Sequence, residues 1–190
     1  MLEFDLILLK PSDVKDEWQE WFDSEHTQYY TRGGRRIELQ ELRDSIQKGI
    51  DTGETFTFGI LDKGNQKIIG TAKLGPIDKV HGLADLAVLI GDKKYLGKGL
   101  ASQLIKLASD FAFEKHSVRK LHSGILEHNV PSIKAYTKAG WIVEAVLSKH
   151  YNNNGTLQDW LIISKFNPRF HSNEVSTTHQ VSLDSYFSSK

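Results

Sequence analysis

The segment Ile90-Gly91-Asp92-Lys93-Lys94-Tyr95-Leu96-Gly97-Lys98-Gly99-Leu100-Ala101 carries the clearest chemistry in this chain. An apolar run precedes it and a helical apolar stripe follows, so it reads as strand, glycine loop and helix start. Such a loop leaves the first N–H groups of the helix unpaired and aims the positive end of the helix dipole at one spot. Glycine then lets an anion approach the backbone, and a diphosphate site is expected around Gly97-Lys98-Gly99. The spacing is neither Gly-x-Gly-x-x-Gly nor a P-loop ending in Gly-Lys-Ser/Thr, so dinucleotide and NTPase sites are not indicated. By itself, Gly-x-Gly equally suits a tight turn before a helix.

Two further groups have chemical potential. Asp85 interrupts the apolar run of residues 83–90, where a proton acceptor or an outward-facing polar alternate both fit. Arg32-Gly33-Gly34-Arg35-Arg36, beside Tyr29 and Tyr30, gathers three guanidinium forks that match phosphate oxygens next to rings that can stack. A solvated basic loop is the plainer reading of that cluster.

The elements that must position these residues follow from periodicity. Residues 4–10 form a strand stopped by Pro11, and Ser12 or Asp13 can cap a helix carrying Trp18, Trp21 and Phe22. After a loop over 24–36, Leu39, Leu42, Ile46 and Ile50 define a helix over 38–50. Residues 55–60 and 67–74 make a hairpin around Lys63-Gly64-Asn65, and 83–90 is a strand. Leu100, Leu104, Leu107, Ala108, Phe111 and Ala112 lie on one face of the helix that begins at the glycine loop. Then come a strand over 121–126, a helix over 131–139 closed by Gly140, and strands over 142–147 and 157–164. Residues 1–168 therefore make one domain, and 169–190 form a polar tail, rich in Ser and Thr from 171, expected to be flexible or docked on a partner.

Composition narrows the function. The 190 residues suit a single self-supporting core. Twenty-four basic residues balance twenty-four acidic ones, which leaves no global field to attract nucleic acid or an anionic membrane. With no cysteine there is no disulfide, thiol nucleophile or thiolate metal site, and no metal is expected. No basic leader or membrane-length apolar stretch is read in the sequence, and a cytoplasmic location is expected.

The glycine loop is followed, some thirty residues on and after a strand, by Asn129, Ser132, Tyr136, Lys138, Gly140 and Trp141. Together these resemble the GNAT acetyltransferase family, whose pyrophosphate loop reads Gln/Arg-x-x-Gly-x-Gly/Ala and is here Lys94-Tyr95-Leu96-Gly97-Lys98-Gly99. Lys94 keeps a positive charge but departs from the pattern. The likeness runs from Phe4 to Phe166 and implies the α/β GNAT fold. That fold has a mixed, mostly antiparallel sheet of six or seven strands, helices on both faces, and fourth and fifth strands that splay apart. The cofactor implied is acetyl-CoA. The resemblance assigns pantetheine contacts, and an N–H for the thioester oxygen, to the backbone at Leu89, Ile90 and Gly91. It assigns the diphosphate to Lys94, Leu96, Gly97, Lys98, Gly99, Leu100 and Ala101, and the cofactor arm to Asn129 and Ser132. Tyr136 becomes the acid that protonates the departing thiolate. Read without the resemblance, Tyr136 is a core aromatic, Asn129 a helix cap and Gly140 a helix C-cap.

The acceptor must attack as a neutral amine, so some group has to take its proton. Asp85 is the catalytic candidate, and Glu25, His26 and His81 lie in segments that the family places near the acceptor. Residues 21–26 with Tyr30, 73–77 and Ala84-Asp85 resemble a GNAT branch near the ribosomal-protein N-terminal acetyltransferases, many of which acetylate nucleotide-linked amino sugars. With Arg32 and Arg35, that implies a dTDP- or UDP-linked amino sugar as the small-molecule acceptor. A protein N-terminus or another small amine is the alternative, and the basic loop argues against polyamines. Edge strands and the tail leave room for a homodimer.

Overall fold

A computed structural model of the chain describes residues 3–25, 27, 37–153, 155–170 and 180–188. His26, Tyr30, Arg32 and Arg35 lie outside these. Seven strands form one sheet: β1 (Phe4–Leu8), β2 (Phe56–Asp62), β3 (Lys67–Asp78), β4 (Leu83–Ile90), β5 (Lys120–Leu126), β6 (Ile142–Asn153) and β7 (Thr156–Phe166). Their order is β1-β2-β3-β4-β5-β7-β6. Every neighbouring pair is antiparallel except β4 and β5, which run parallel. The helices are α1 (Gln19–Asp23), α2 (Leu39–Thr52), α3 (Leu100–Lys115), α4 (Val130–Lys138) and α5 (Leu183–Ser188). Among the described residues, no helix is long and apolar enough to cross a membrane.

The helices cover both faces because the strands alternate. Ala72, Leu74, Leu86, Leu121, Ile125 and Ile163 share one core with Ile105, Ala108 and Ala112 of α3 and Ile133 and Tyr136 of α4. On the opposite face Leu9, Trp18, Phe22, Leu39 and Ile46 cluster, with Ile68 and Leu89 packed against them. Leu86 and Leu121 are fully buried on the two strands that bound the site. Truncating either to alanine would cost about 2–5 kcal/mol, since the removed side chain leaves a cavity that the surroundings only partly fill.

The fourth and fifth strands diverge as the resemblance implies. They pair only at Leu83↔Lys120, Ala84↔Leu121 and Asp85↔His122. Beyond that rung β4 stays with β3 as far as Gly70↔Ile90, while β5 stays with β7 as far as Leu126↔Trp160. A wedge is left between residues 86–90 and 123–126.

Some elements differ from the periodic reading. The helix expected after Pro11 is broken into two 3-10 turns, Pro11–Asp13 and Asp16–Trp18, before the five-residue α1. Trp18 and Trp21 stack there with centroids 4.8 Å apart. β6 runs six residues beyond its apolar part, because Tyr151, Asn152 and Asn153 pair with β7 past a bulge. The described part of the tail lies on the domain: the Val181 N–H donates to the Val143 carbonyl at 2.8 Å, and Val181, Leu183 and Tyr186 pack against the main core. The Tyr186 hydroxyl reaches Asp159 Oδ2 at 2.8 Å.

Candidate active site

The glycine loop leaves β4 through a 3-10 turn, Lys93–Tyr95, in which the Lys94 N–H donates to Asp92 Oδ1 at 2.9 Å. Tyr95 is buried and anchors it: its hydroxyl donates to Asp62 Oδ2 at 2.5 Å and accepts from Asn65 Nδ2 at 2.9 Å. The Tyr95 hydroxyl, followed by the Gly64 N–H, holds the Asp62 carboxyl below its ordinary value, and Asp62 in turn raises the phenol. Sequence spacing gave no sign of this pair. Lys98 Nζ lies 5.3 Å from the centre of the Tyr95 ring.

Gly97 and Gly99 have φ of 72° and 71°, the left-handed region that glycine enters without a Cβ penalty. A Cβ built at either would meet no atom within 4 Å, so the cradle is open. Gly99 is the N-cap of α3 and no side chain caps that helix. The start of α3 is thus free to receive an acceptor from outside, and it fits the diphosphate of acetyl-CoA.

The wedge is lined by alternate residues of β4. In an antiparallel ladder successive residues turn their N–H and C=O groups to opposite sides. The Gly91 N–H donates to the Ile69 carbonyl on β3 at 2.9 Å, which fixes Leu89 and Gly91 toward β3 and Leu86, Val88 and Ile90 toward the wedge. Of the three backbone contacts expected for pantetheine, Ile90 faces the gap, and Leu89 and Gly91 do not. Gly91 is needed for packing instead: a Cβ there would sit 2.1 Å from the Trp21 ring. The backbone of Val88 also faces the gap, which strand alternation alone could not give without knowing which edge β3 occupies, and the Leu86 carbonyl is taken by Tyr136.

Tyr136 closes the wedge. α4 is capped by Asn129, whose Oδ1 accepts the Ser132 N–H at 3.2 Å, with Pro131 in its first turn. That leaves the Asn129 amide group to donate elsewhere. The Tyr136 ring packs edge-on to Trp141 at 4.8 Å, and the Trp141 indole N–H donates to Ser109 Oγ of α3 at 3.2 Å. So held, the buried Tyr136 hydroxyl donates to the Leu86 carbonyl at 2.8 Å, and the Val88 N–H and Ser123 hydroxyl also reach its oxygen. Burial, then the Asp85 carboxylate, push this phenol well above the ordinary tyrosine value. It stays protonated at neutral pH.

Asp85 stands one residue before Leu86, half-buried, opposite His122 on the last shared rung. Its side chain lies on the sheet face away from α4, because Ala84 and Leu86 take the α4 side. His81 is not in the site. It is exposed in the turn before β4, at the end away from the wedge opening, with its N–H on Asp78 Oδ1 at 2.8 Å and its carbonyl accepting from Arg119 Nε at 3.3 Å. Glu25 is exposed just beyond α1.

With this geometry in place, comparison with known proteins is specific. The family model described as an acetyltransferase (GNAT) domain matches residues 5–142. A probable N-acetyltransferase of Bacillus subtilis is 28% identical over 160 residues, 83% of this chain and 84% of its own. The spermidine N(1)-acetyltransferase of Escherichia coli K12 is 32% identical over 115 residues, 60% of each chain. Two solved structures share the fold at TM-score 0.76. The Vibrio cholerae spermidine N-acetyltransferase, in complex with CoA and spermine, is 21% identical and covers 88% of this chain and 97% of its own. The Vibrio fischeri ribosomal-protein-S5-alanine acetyltransferase is 20% identical and covers 89% and 96%. A splayed β4–β5 pair, an uncapped glycine cradle and a buried, protonated tyrosine, within a domain that the family model spans, make this chain a member of the GNAT family and an acetyl-CoA-dependent N-acetyltransferase.

Proposed function

We propose that the chain acetylates the primary amine of a small cationic molecule of the polyamine class. The observation that carries this is Asp85: a carboxylate at the closed end of the wedge, on the sheet face away from Tyr136, where it can pair with an ammonium group. The name of the E. coli relative, a spermidine acetyltransferase, supports the same class. The nucleotide-linked amino sugar finds no counterpart among these relatives, and the arginines that motivated it lie outside the described residues.

Acetyl-CoA, when bound, supplies an acetyl thioester. Backbone N–H groups from Gly97 to Ala101 hold its diphosphate, Asn129 and the edge of β4 at Val88 and Ile90 hold the arm, and Tyr136 donates a proton where the thiolate departs. A protein N-terminus is the second reading, because the ribosomal-protein acetyltransferase shares this fold to the same degree. Thiol release from acetyl-CoA, measured with spermidine, spermine, an Ala-initiated peptide and a UDP-amino sugar, separates these classes. The proposal expects the highest kcat/KM with a polyamine. Faster turnover of the peptide selects the second reading, and faster turnover of the sugar returns to the arginine loop.

A further inference from the structure

We propose that His122 takes the proton from the acceptor ammonium, with Asp85 as its partner across the last rung of β4 and β5. The proposal rests on the amine reading of this site. Leu121 and Ile125 face the α3–α4 core, so Lys120, His122 and Gly124 face the other side of the sheet. There His122 pairs in register with Asp85 of β4 on one side and Ser164 of β7 on the other. From β6, Glu144 completes the group: its carboxylate accepts from Ser164 Oγ and from Lys120 Nζ, the latter at 2.7 Å. Burial raises the Glu144 carboxyl, but Lys120, Ser164 and the nearby His122 together bring it below its ordinary value, so it is ionised beside the imidazole.

This arrangement divides the proton chemistry between the two sheet faces. Tyr136 reaches the closed end of the wedge from the α4 side, at the Leu86 carbonyl. Asp85 and His122 are register partners one residue earlier, with side chains on the opposite side. With Lys120 and Glu144 paired to each other, the imidazole beside Asp85 can accept one proton from R–NH3+ and leave the lone pair on nitrogen. The positive charge moves to the ring, where Asp85 stabilises it, and nothing is oxidised or reduced. His122 is half-buried, so the proton can afterwards pass to water.

The test is His122→Gln, with His122→Ser as a second variant should the glutamine not fold. Both are assayed from pH 6 to 10 with the best amine of the panel, alongside calorimetric acetyl-CoA affinity. Expected is a fall in kcat/KM of roughly 10²-fold near pH 7 that shrinks as pH rises and the amine loses its own proton, with cofactor affinity within twofold. A deficit below threefold, or one constant across pH, overturns the assignment. A separate arm needs no turnover: 15N spectra of the His122 ring in wild type and Asp85→Asn. A change in ring-nitrogen shifts supports the pairing, and unchanged shifts refute it. If no amine in the panel reacts, the acceptor reading has failed while this arm still judges the His122–Asp85 pair.

Discussion

Tyr95 and Asp62, thirty-three residues apart in the chain, are joined by a 2.5 Å hydrogen bond that ties the cofactor loop to the end of β2. The bond holds the turn from which Gly97 and Gly99 project, and it involves neither glycine. Tyr95→Phe removes the donor and keeps the ring. Part of that lost hydrogen bond to a charged group reaches the loop, so acetyl-CoA affinity should weaken by about threefold to tenfold with kcat at saturation retained. Calorimetry with steady-state kinetics checks the split.

The same pair has a pH signature. Asp62 is depressed from 3.8, so its contribution is present above pH 3.8 and is lost as pH falls through the lower folded value. Tyr95 is raised from 10.0, so its contribution is present below pH 10.0 and is lost as pH rises through the higher folded value. The Tm difference between wild type and Tyr95→Phe should therefore be flat near neutrality and close at both extremes. Thermal melts across pH measure it, and a difference that stays constant from the acid to the alkaline extreme would count against the pair.

Gly99→Asp should weaken acetyl-CoA binding by more than tenfold while the fold survives. The new side chain meets no protein atom within 4 Å, so the cost to the fold is that of an L-residue at positive φ, roughly 1–2 kcal/mol. The same side chain brings a negative charge into the space offered to the diphosphate. Comparing the dissociation constant with Tm separates the two effects.

Gly91→Ala acts differently. A methyl group 2.1 Å from the Trp21 ring must displace α1 or β4, an overpacking cost of about 1–3 kcal/mol. Tm should fall by about 3–10 °C, and near-ultraviolet circular dichroism should report the altered tryptophan. An unchanged Tm would mean that Trp21 is not seated on β4.

These pairs mark the limit of what the chain disclosed in advance. The apolar stripe of α3, the Pro131 start of α4 and the glycine loop were legible because each is a local pattern, fixed within a turn or two of helix. The parting of β4 from β5 came from the family resemblance, not from periodicity, since nothing in residues 83–90 encodes where pairing stops. That Val88 rather than Leu89 turns its backbone to the wedge was not legible, because the edge that a strand residue addresses depends on the neighbour across the sheet. β6 ran past its apolar part because Tyr151, Asn152 and Asn153 are paired across the sheet with Gln158, Leu157 and Thr156, a pairing that no local apolar pattern encodes. The tail was read as flexible or docked on a partner because residues 171–190 are rich in Ser and Thr with little apolar periodicity, whereas the contacts of Val181, Leu183 and Tyr186 with the core are tertiary.

Tyr136→Phe tests the central claim most directly. The change deletes only the hydroxyl that donates to Leu86 at the closed end of the wedge, and the edge-on packing against Trp141 remains. The measurement is kcat for thiol release from acetyl-CoA together with the acetyl-CoA dissociation constant of the same folded variant. The account predicts that kcat falls by roughly 10²-fold or more while the dissociation constant stays within about twofold. A wild-type kcat, or an equal loss in both quantities, would contradict the role of Tyr136 as the proton donor of the reaction.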